Sequence, residues 1–348
     1  MKIGIFGGPL SGKSTLLGAL VAGFGYEMDD TRARKSPFVV SVPDERVDYL
    51  EKICKPKKKV YQTVTLLEIQ PGSESLIDGQ NVSSLRGCDV LLLLIPLFLS
   101  KTPDELSPSE GVLESCREIE TDLCLADYLV IQKRLERLLK EGKKSREREL
   151  MQDLAANLES GRPVRDMELR EDEKKMVSGF SLLSEIPIIA VVNAGEDDLE
   201  NESLKREVEK IERRGVDAVL VCAKLEEEIM CLDPDDREMF MREVGIEGVM
   251  GHGIVKSAYR LLNLITFLTV NPNEVRSWSI VRGASAREAA GRIHSDMERG
   301  FIRAEVIPFK EFVQFNDMAR AKAAGRVRVE GKDYIVEDGD IVTVRFNV

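Results

Sequence analysis

Apolar and polar positions alternate along this chain of 348 residues in a pattern that changes from region to region. Short apolar runs lie at 3–6, 38–42, 60–69, 90–99, 186–192 and 218–221. Stretches with helical spacing separate most of these runs. Strands that alternate with helices are typical of a mainly parallel sheet with helices on both faces. The longest run, 90–99, is too short to cross a bilayer, so it predicts a strand buried on both faces.

A helical pattern interrupts this alternation near residue 120. Its apolar positions are Cys124, Tyr128, Ile131, Leu135 and Leu138, then Met151, Leu154 and Leu158, then Met176, Phe180 and Leu183. Steps of three and four between apolar residues, with charged residues in the gaps, are typical of helices that pack along one seam. We therefore predict an antiparallel helical hairpin over 121–185, inserted into the sheet domain.

The last part of the chain has the pattern of a separate domain. The segment 253–269 predicts a helix that closes the first domain. Beyond it, strand-like alternation appears at 278–281, 303–307, 326–329 and 341–348, with turn signals at 330–331 and 338–339. The predicted domains are a sheet domain over 1–120 and 186–265, the helical insert over 121–185, and a small β-rich domain over 266–348.

Composition narrows the class of protein. The apolar fraction of 43% and the charged fraction of 32% indicate a globular protein. A net charge of −11 gives no general affinity for nucleic acid, so any RNA contact needs a local basic surface. The six cysteines form no Cys-x-x-Cys pair, which makes a zinc site unexpected. With no signal segment evident, we expect a cytoplasmic protein that makes no membrane contact.

A phosphate-binding motif lies directly after the first apolar run. Residues 7–14 read G-x-x-x-x-G-K-S, and the segment behind them has helical spacing. In this strand–loop–helix context, backbone N–H groups surround a phosphate, Lys13 reaches the β- and γ-phosphates, and Ser14 ligates Mg²⁺. The alternative, a glycine-rich turn with a chance lysine, is disfavoured by both flanks. The predicted nucleotide contacts are Gly8, Pro9, Leu10, Ser11, Gly12, Lys13, Ser14 and Thr15, with Lys13 also catalytic.

Two further turns follow buried strands in the order that GTP-binding P-loop proteins use for base recognition. Asn193-Ala194-Gly195-Glu196 stands where those proteins have Asn-Lys-x-Asp, and Cys222-Ala223-Lys224 stands where they have Ser-Ala-Lys. Each segment alone also fits an ordinary strand-to-helix turn. Alanine in place of lysine and glutamate in place of aspartate weaken the recognition of guanine. The predicted base contacts are Asn193, Glu196, Cys222, Ala223 and Lys224.

The predicted switch elements are altered. Thr63 is a candidate second Mg²⁺ ligand beside Ser14, and Glu68 is a catalytic candidate at the position of the aspartate in Asp-x-x-Gly. Aligned without a gap, Pro71 takes the place of the glycine, and proline has no N–H to offer a γ-phosphate. Gly72 could replace it only through a bulge of one residue.

Two basic stretches bear on RNA binding. The run Lys55 to Lys59 fits a solvated loop better than a nucleic-acid contact. In the tail, Arg303, Lys310, Lys322, Arg326, Arg328 and Lys332 form a local basic excess with acidic residues interspersed. For this second group, an RNA surface and ordinary surface charge both remain open.

With these motifs placed, the chain resembles the YchF family, the bacterial branch of the Obg-like ATPases, over essentially its whole length. Besides the nucleotide motifs, the resemblance rests on 42–46, 125–127, 193–199, 264–267, 289–296, 300–306 and 331–334. It implies an α/β P-loop NTPase domain, an inserted antiparallel coiled-coil hairpin and a C-terminal β-grasp-like TGS domain. It also implies Mg²⁺-dependent hydrolysis of ATP in preference to GTP, and association with ribosomes or tRNA through the C-terminal and helical domains.

The chain departs from the family pattern in one more respect. Catalysis in the family is linked to a histidine in the loop after the third strand, and the corresponding segment here, 100–112, has none. With the altered switch at 68–72, this predicts a divergent member with slow turnover. Two alternatives therefore stay open: a nucleotide-dependent ribosome or RNA adaptor with little hydrolysis, and a GTPase.

Overall fold

The computed structural model describes residues 1–26, 37–73, 76–97, 108–141, 145–243 and 249–347. The strands are β1 (Lys2–Gly7), β2 (Phe38–Val42), β3 (Lys58–Val60), β4 (Gln62–Glu68), β5 (Val90–Pro96), β6 (Ile188–Asn193), β7 (Asp217–Val221), β8 (Leu264–Val270), β9 (Glu274–Val281), β10 (Phe301–Pro308), β11 (Arg328–Glu330) and β12 (Asp340–Phe346). The helices are α1 (Lys13–Gly23), α2 (Glu45–Cys54), α3 (Val82–Arg86), α4 (Pro108–Lys140), α5 (Arg146–Glu159), α6 (Glu171–Val177), α7 (Glu202–Glu212), α8 (Ala223–Met230), α9 (Pro234–Glu243), α10 (Met250–Leu261), α11 (Ala286–Ile293), α12 (Ser295–Arg299), α13 (Phe309–Phe315) and α14 (Met318–Ala323).

Internal contacts divide the chain into two compact units. The first unit comprises Met1–Phe38 and Thr65–Ser257, and the second comprises Val39–Val64 and Ala258–Val348. We predicted instead that 39–64 belongs with the nucleotide-binding domain. In the structure, Val47 and Leu50 of α2 are fully buried in a core formed with β8 and β9. Amphipathic periodicity identifies the buried face of a helix but not the sheet that covers it, so the sequence could not assign this segment.

The first unit is built on a parallel sheet. Its strands run in the order β4-β1-β5-β6-β7. Strands β5 and β6 are buried over almost their whole length, as the continuous apolar runs predict. The register pairs Gly7 with Leu94 and Asn193 with Val221, so β1, β6 and β7 all end at one edge of the sheet. The loops after these three strands therefore emerge close together.

The helical insert of the first unit has the predicted seam. Cys124, Ile131 and Leu138 of α4 are buried against Met151 and Leu154 of α5. The third predicted helix is shorter than its apolar stripe suggests, because α6 ends at Val177 and short 3-10 turns follow at 178–180 and 183–185. Among the described residues, no helix combines the length and the apolar character that a bilayer crossing requires.

A buried carboxylate fixes the return of the chain from the insert. Asp127 of α4 is fully buried and accepts hydrogen bonds from the backbone N–H groups of Leu183 (2.9 Å) and Ser184 (2.7 Å). Both donors belong to the 3-10 turn at 183–185. Burial raises the pKa of Asp127, while these hydrogen bonds act in the opposite direction. The Asp127 carboxylate thus supplies the hydrogen-bond acceptors that these two N–H groups do not find within the turn.

The second unit has a mixed sheet with the order β11-β10-β12-β8-β9-β3. Helix α11 packs on one face and helices α2, α13 and α14 pack on the other. The predicted helix over 253–269 is wrong beyond residue 261. Helix α10 ends at Leu261, Asn263 adopts a left-handed φ of 49°, and β8 begins at Leu264. The run Leu264–Val270 is buried on both faces, so its apolar pattern does not distinguish a strand from a buried helix.

Helix α8 carries a buried acidic residue whose ionisation is costly. Glu226 is only 9% exposed, and burial alone raises its pKa to about 7 from a value of 4.5. Because the folded protein binds this proton more tightly than the unfolded chain, the free energy of unfolding falls as the pH rises from about 4.5 to about 7.

We expect Glu226→Gln to remove this dependence. The gain in unfolding free energy over the parent should be larger at pH 8 than at pH 5, by about 1–2 kcal/mol. Urea denaturation of both proteins at the two pH values measures the difference. Glu212→Gln, which changes an exposed carboxylate at the end of α7, is the control and should show no pH-dependent gain. An equal effect of Glu226→Gln on the unfolding free energy at both pH values would contradict the raised pKa of Glu226.

Candidate nucleotide-binding site

The loop between β1 and α1 has the backbone geometry of a phosphate-binding turn. Gly12 caps α1 with a left-handed φ of 92° and provides no side-chain cap, which leaves the first N–H groups of the helix without intrahelical acceptors. A Cβ atom at Gly12 would lie 2.4 Å from Asn193 Nδ2, so only glycine fits. Leu10 also has a positive φ, of 58°, and its side chain is 81% exposed. The turn therefore presents backbone N–H donors, rather than side chains, at its centre.

The side chain of Lys13 folds back over this loop. Its ammonium group donates hydrogen bonds to the carbonyl oxygens of Gly7 (3.1 Å) and Gly8 (2.7 Å). Burial lowers the pKa of Lys13, and the negative charge of Glu68 partly offsets that effect. The two carbonyls hold the ammonium group beside the donors of the loop, where it adds positive charge to the site.

Ser14 and Glu68 approach each other at the mouth of the loop. The Ser14 hydroxyl donates to Glu68 Oε1 at 2.8 Å, and Gln70 Nε2 donates to the same oxygen at 3.1 Å. The other predicted Mg²⁺ ligand, Thr63, is exposed and lies on β4 within the second unit. No group of three or more His, Cys, Asp or Glu side chains suited to a metal occurs in the described parts of the chain. The structure brings Ser14 and Glu68 together, and the roles of Ser14 and Thr63 as Mg²⁺ ligands each remain a prediction.

Asn193 connects the phosphate-binding loop to the third motif. It is the last residue of β6 and is only 4% exposed. Its Nδ2 donates to the Ser11 carbonyl oxygen (3.0 Å), and its Oδ1 accepts from the Ala223 N–H (3.0 Å). One buried amide thereby fixes both the loop after β1 and the turn after β7. Periodicity alone could not reveal these bonds, since the three segments are distant in sequence.

A cavity of about 390 Å³ lies beside these three segments. Its lining comprises Gly12, Thr15, Asn193, Ala194, Gly195, Glu196, Cys222, Ala223, Lys224, Leu225 and Glu228. All five predicted base contacts are in this lining. Gly8, Pro9, Leu10, Ser11, Lys13 and Ser14 are not, as expected if the phosphates lie in the loop and the base lies in the cavity. The volume is within the range of small-molecule sites.

Two residues that line the cavity lie outside the motifs that the sequence predicted. Leu225 and Glu228 lie on α8, and the Glu228 carboxylate is 3.7 Å from the Lys224 ammonium group. The spacing of four residues between Lys224 and Glu228 is the signal that could have identified the pair, because it places both side chains on one face of a helix. Glu196 is exposed and opens a 3-10 turn at 196–198.

The segment after β4 has a closed hydrogen-bond network of its own. Buried Asn81 donates through Nδ2 to the carbonyl oxygens of Gln70 (3.0 Å) and Leu76 (2.8 Å). The Gly72 N–H also donates to the Leu76 carbonyl oxygen, at 3.2 Å. The donor that could have replaced the missing glycine N–H at Pro71 is therefore engaged within its own loop. Residues 100–107, most of the segment 100–112 that lacks the family's histidine, lie outside the described residues.

We expect Asn193→Ala to weaken nucleotide binding by at least tenfold, since it removes the bonds to both flanking segments at once. Asn193→Asp should bind almost as poorly, because a carboxylate would face the Ser11 carbonyl oxygen in place of a donor. Isothermal titration with ATP measures both. The control is Asn201→Ala, which removes a helix cap on α7 in the same unit. Equal affinities for the Asn193 variants and the parent would show that the amide does not organise the site.

Comparisons with known proteins agree with this architecture. The "Ribosome-binding ATPase YchF" of Bacillus subtilis (strain 168) is 35% identical to the chain and the alignment covers 100% of both. The protein of the same name from Escherichia coli O157:H7 is 34% identical, with 100% of this chain and 99% of the relative covered.

Two further matches concern the C-terminal region and the whole fold. Residues 264–347 match the family model YchF-GTPase_C, described as "Protein of unknown function (DUF933)". The solved structure of the Schizosaccharomyces pombe YchF GTPase superimposes with a TM-score of 0.85 at 25% identity, covering 99% of this chain and 97% of that one. The α/β P-loop architecture inferred from the motifs is confirmed, and the chain belongs to the YchF family.

Proposed function

We propose that this protein is a Mg²⁺-dependent ATPase that associates with ribosomes. The observation that carries the proposal is the arrangement around Asn193, whose amide holds a phosphate-binding loop on one side and a base-sized cavity on the other. The curated relatives named ribosome-binding ATPases, aligned over the full chain, support both parts of the activity.

The loop offers what a triphosphate requires. Among the described residues, the buried Ser11 hydroxyl has no hydrogen-bond partner, and a Cβ placed on Gly8 would meet no atom within 4 Å. The open first turn of α1 adds backbone donors and the positive end of its dipole. An unsatisfied buried hydroxyl is costly to a folded protein, so its presence here favours a ligand that supplies the missing partner.

The residues present also fit a magnesium ion. Ser14 supplies a hydroxyl oxygen and Glu68 a carboxylate, and Mg²⁺ prefers oxygen ligands completed by phosphates and water. When bound, Mg²⁺ neutralises charge on the β- and γ-phosphate oxygens. Ser14 would hold the ion through its hydroxyl oxygen, and Glu68, which accepts a hydrogen bond from Ser14 in this structure, would orient a water molecule at the site.

In this mechanism Lys13 stabilises the charge that develops during γ-phosphoryl transfer. Its ammonium group already faces the loop, held by two carbonyls, so little reorganisation is needed as the charge grows. Hydrolysis should be slow, because Pro71 lacks an N–H and that of Gly72 is bonded to Leu76. These features also motivate the alternative function, a nucleotide-dependent ribosome adaptor with little hydrolysis.

Base selection favours adenine over guanine in this proposal. Ala194 is 3% exposed and has no long stem to cover a guanine ring, and Glu196 stands where a shorter aspartate would accept guanine's N–H groups. A GTPase remains the second candidate, since the Schizosaccharomyces pombe relative is named a GTPase. Equilibrium competition between ATP and GTP for the pure protein separates the two candidates. We expect ATP to bind several-fold more tightly, and a strong preference for GTP would reverse the assignment.

The chemical step is tested at Lys13. We expect Lys13→Ala to lower steady-state phosphate release from MgATP by at least a hundredfold, because removing a preorganised charge from a phosphoryl-transfer site costs several kcal/mol. The control is Lys2→Ala at the start of β1, the strand before the loop, where the exposed side chain lies outside the site. Circular dichroism checks that both variants fold. Unchanged phosphate release from Lys13→Ala would reject the ATPase, and negligible single-turnover cleavage by the parent would favour the adaptor.

A further inference from the structure

A concentrated positive charge occurs in this acidic protein, at the junction of α2 and β3 in the second unit. Residues 52–59 contain five lysines and no acidic residue, while the whole chain has a net charge of −11. Lys52 lies in the last turn of α2, Lys55 ends the helix with a left-handed φ of 47°, and Lys58 begins β3. The segment is short and ordered into a helix end, a turn and an edge strand.

One of the five lysines neutralises the adjacent acidic side chains. The Lys59 ammonium group is 2.8 Å from Asp48 and 2.7 Å from Glu51, both on α2. Tyr61 also donates a short hydrogen bond to Asp48. These contacts lower the pKa of Asp48 against the opposing effect of its partial burial. The two carboxylates of α2 that are nearest to β3 are therefore already paired.

The other four lysines have no such close carboxylate contact in the described parts of the chain, although the charge of Lys52, one helical turn after Asp48, also helps to lower the pKa of that carboxyl. Lys52, Lys55, Lys57 and Lys58 are all exposed, and none forms an ion pair with any residue that the structure describes. We call these four residues the lysine ridge.

The positive charge continues from the ridge onto the neighbouring strand. In the parallel pairing of β3 with β9, Lys58 is opposite Glu274 and Val60 is opposite Arg276. The Arg276 guanidinium lies 4.1 Å from the centre of the Trp278 ring, and its buried Nε has no hydrogen-bond partner in the part of the chain that the structure describes. Glu274, the acidic residue beside Lys58, is 3.9 Å from Arg276. The stacked arginine thus lies on the neighbouring strand, two residues beyond the position opposite Lys58.

The basic residues of the C-terminal tail differ from the ridge. Three of the six basic tail residues considered as an RNA surface have acidic partners. These pairs are Lys322 with Glu305, Arg326 with Glu311, and Arg328 with Glu330. A phosphate chain approaching that surface would meet carboxylates as well as cations. The ridge offers four lysines within seven residues, and Glu274, opposite Lys58, is the carboxylate beside them on β9.

We propose that the lysine ridge, with Arg276 beside it, binds the phosphate backbone of RNA. The inference deepens the proposed ribosome association and rests on it for the identity of the partner. Unpaired lysines bind nucleic acid by releasing counterions from phosphates, and a stacked arginine adds a planar donor for phosphate or base. Stabilisation of a helix C-terminus explains Lys52 and Lys55, and protection of an edge strand explains Lys58, but neither effect requires four unpaired cations together.

The test measures binding of a fluorescein-labelled RNA duplex of about sixteen base pairs, the span of a typical double-stranded RNA contact. Fluorescence anisotropy is recorded with the full-length protein across a series of KCl concentrations. The ridge variant is K52Q/K55Q/K57Q/K58Q. The matched control, R282Q/R303Q/K310Q/K332Q, removes four exposed cations of the same unit for which the structure gives no ion pair. K57Q/K58Q serves in place of the ridge variant if that protein does not fold.

We expect the ridge variant to bind at least tenfold more weakly at low salt and to lose about two to four units of slope in log K against log salt. The control should stay within threefold of the parent. Binding by the ridge variant within twofold of the parent, or an equal loss in the control, would overturn the proposal. So would displacement of the duplex by polyglutamate at an equal concentration of charge, which would indicate an acidic protein partner.

Phosphate release from MgATP distinguishes this proposal from the proposed function. Both quadruple variants should hydrolyse ATP like the parent, because none of the substituted residues belongs to the nucleotide site. A parent that binds the duplex but does not cleave ATP would refute the ATPase and leave the RNA surface intact. A parent that cleaves ATP but has no affinity for the duplex would refute the RNA surface alone.

Discussion

The buried amide of Asn193 is the interaction on which the candidate site depends. The end of β6 brings this side chain between two segments that are far apart in sequence, and its two polar ends are bonded to Ser11 and Ala223. The arrangement is possible because β1, β6 and β7 are parallel and end at the same edge of the sheet. Gly12 is confined by the same side chain, since any Cβ there would collide with the amide. Backbone geometry, strand order and one side chain thus determine together where phosphates and base can lie.

The proposed function follows from the phosphate-binding loop and the cavity that lie on either side of Asn193. At the phosphate end, Lys13, Ser11 and the open turn of α1 supply charge and donors. At the base end, the cavity is lined by short side chains after β6 and by one face of α8. The segment after β4 is less suited to sensing a γ-phosphate, because the Gly72 N–H already donates to the Leu76 carbonyl oxygen within its own loop. Nucleotide-binding elements that are intact beside an altered switch are consistent with the slow turnover that we propose.

Sequence reasoning succeeded where the chemistry is local. The phosphate-binding motif, the buried strands and the helical seam at Cys124 and Ile131 each depend on residues close together in the chain. It failed where tertiary context decides. The run Leu264–Val270 is apolar on both faces and reads equally as helix or strand, and α2 joins a sheet formed two hundred residues later. The amide bonds of Asn193 and the pairing of Lys59 with α2 required coordinates, since no periodicity encodes contacts between distant segments.

A crystal structure of the protein with a non-hydrolysable ATP analogue and Mg²⁺ would show whether the Asn193 amide organises one nucleotide site. We expect the triphosphate in the turn of Gly8 to Thr15, with the ion on the Ser14 oxygen. We also expect the adenine ring in the cavity beside Asn193 and α8, with both hydrogen bonds of the Asn193 amide retained. An analogue whose base lies outside that cavity, or a loop that remains empty at saturating ligand, would contradict this expectation.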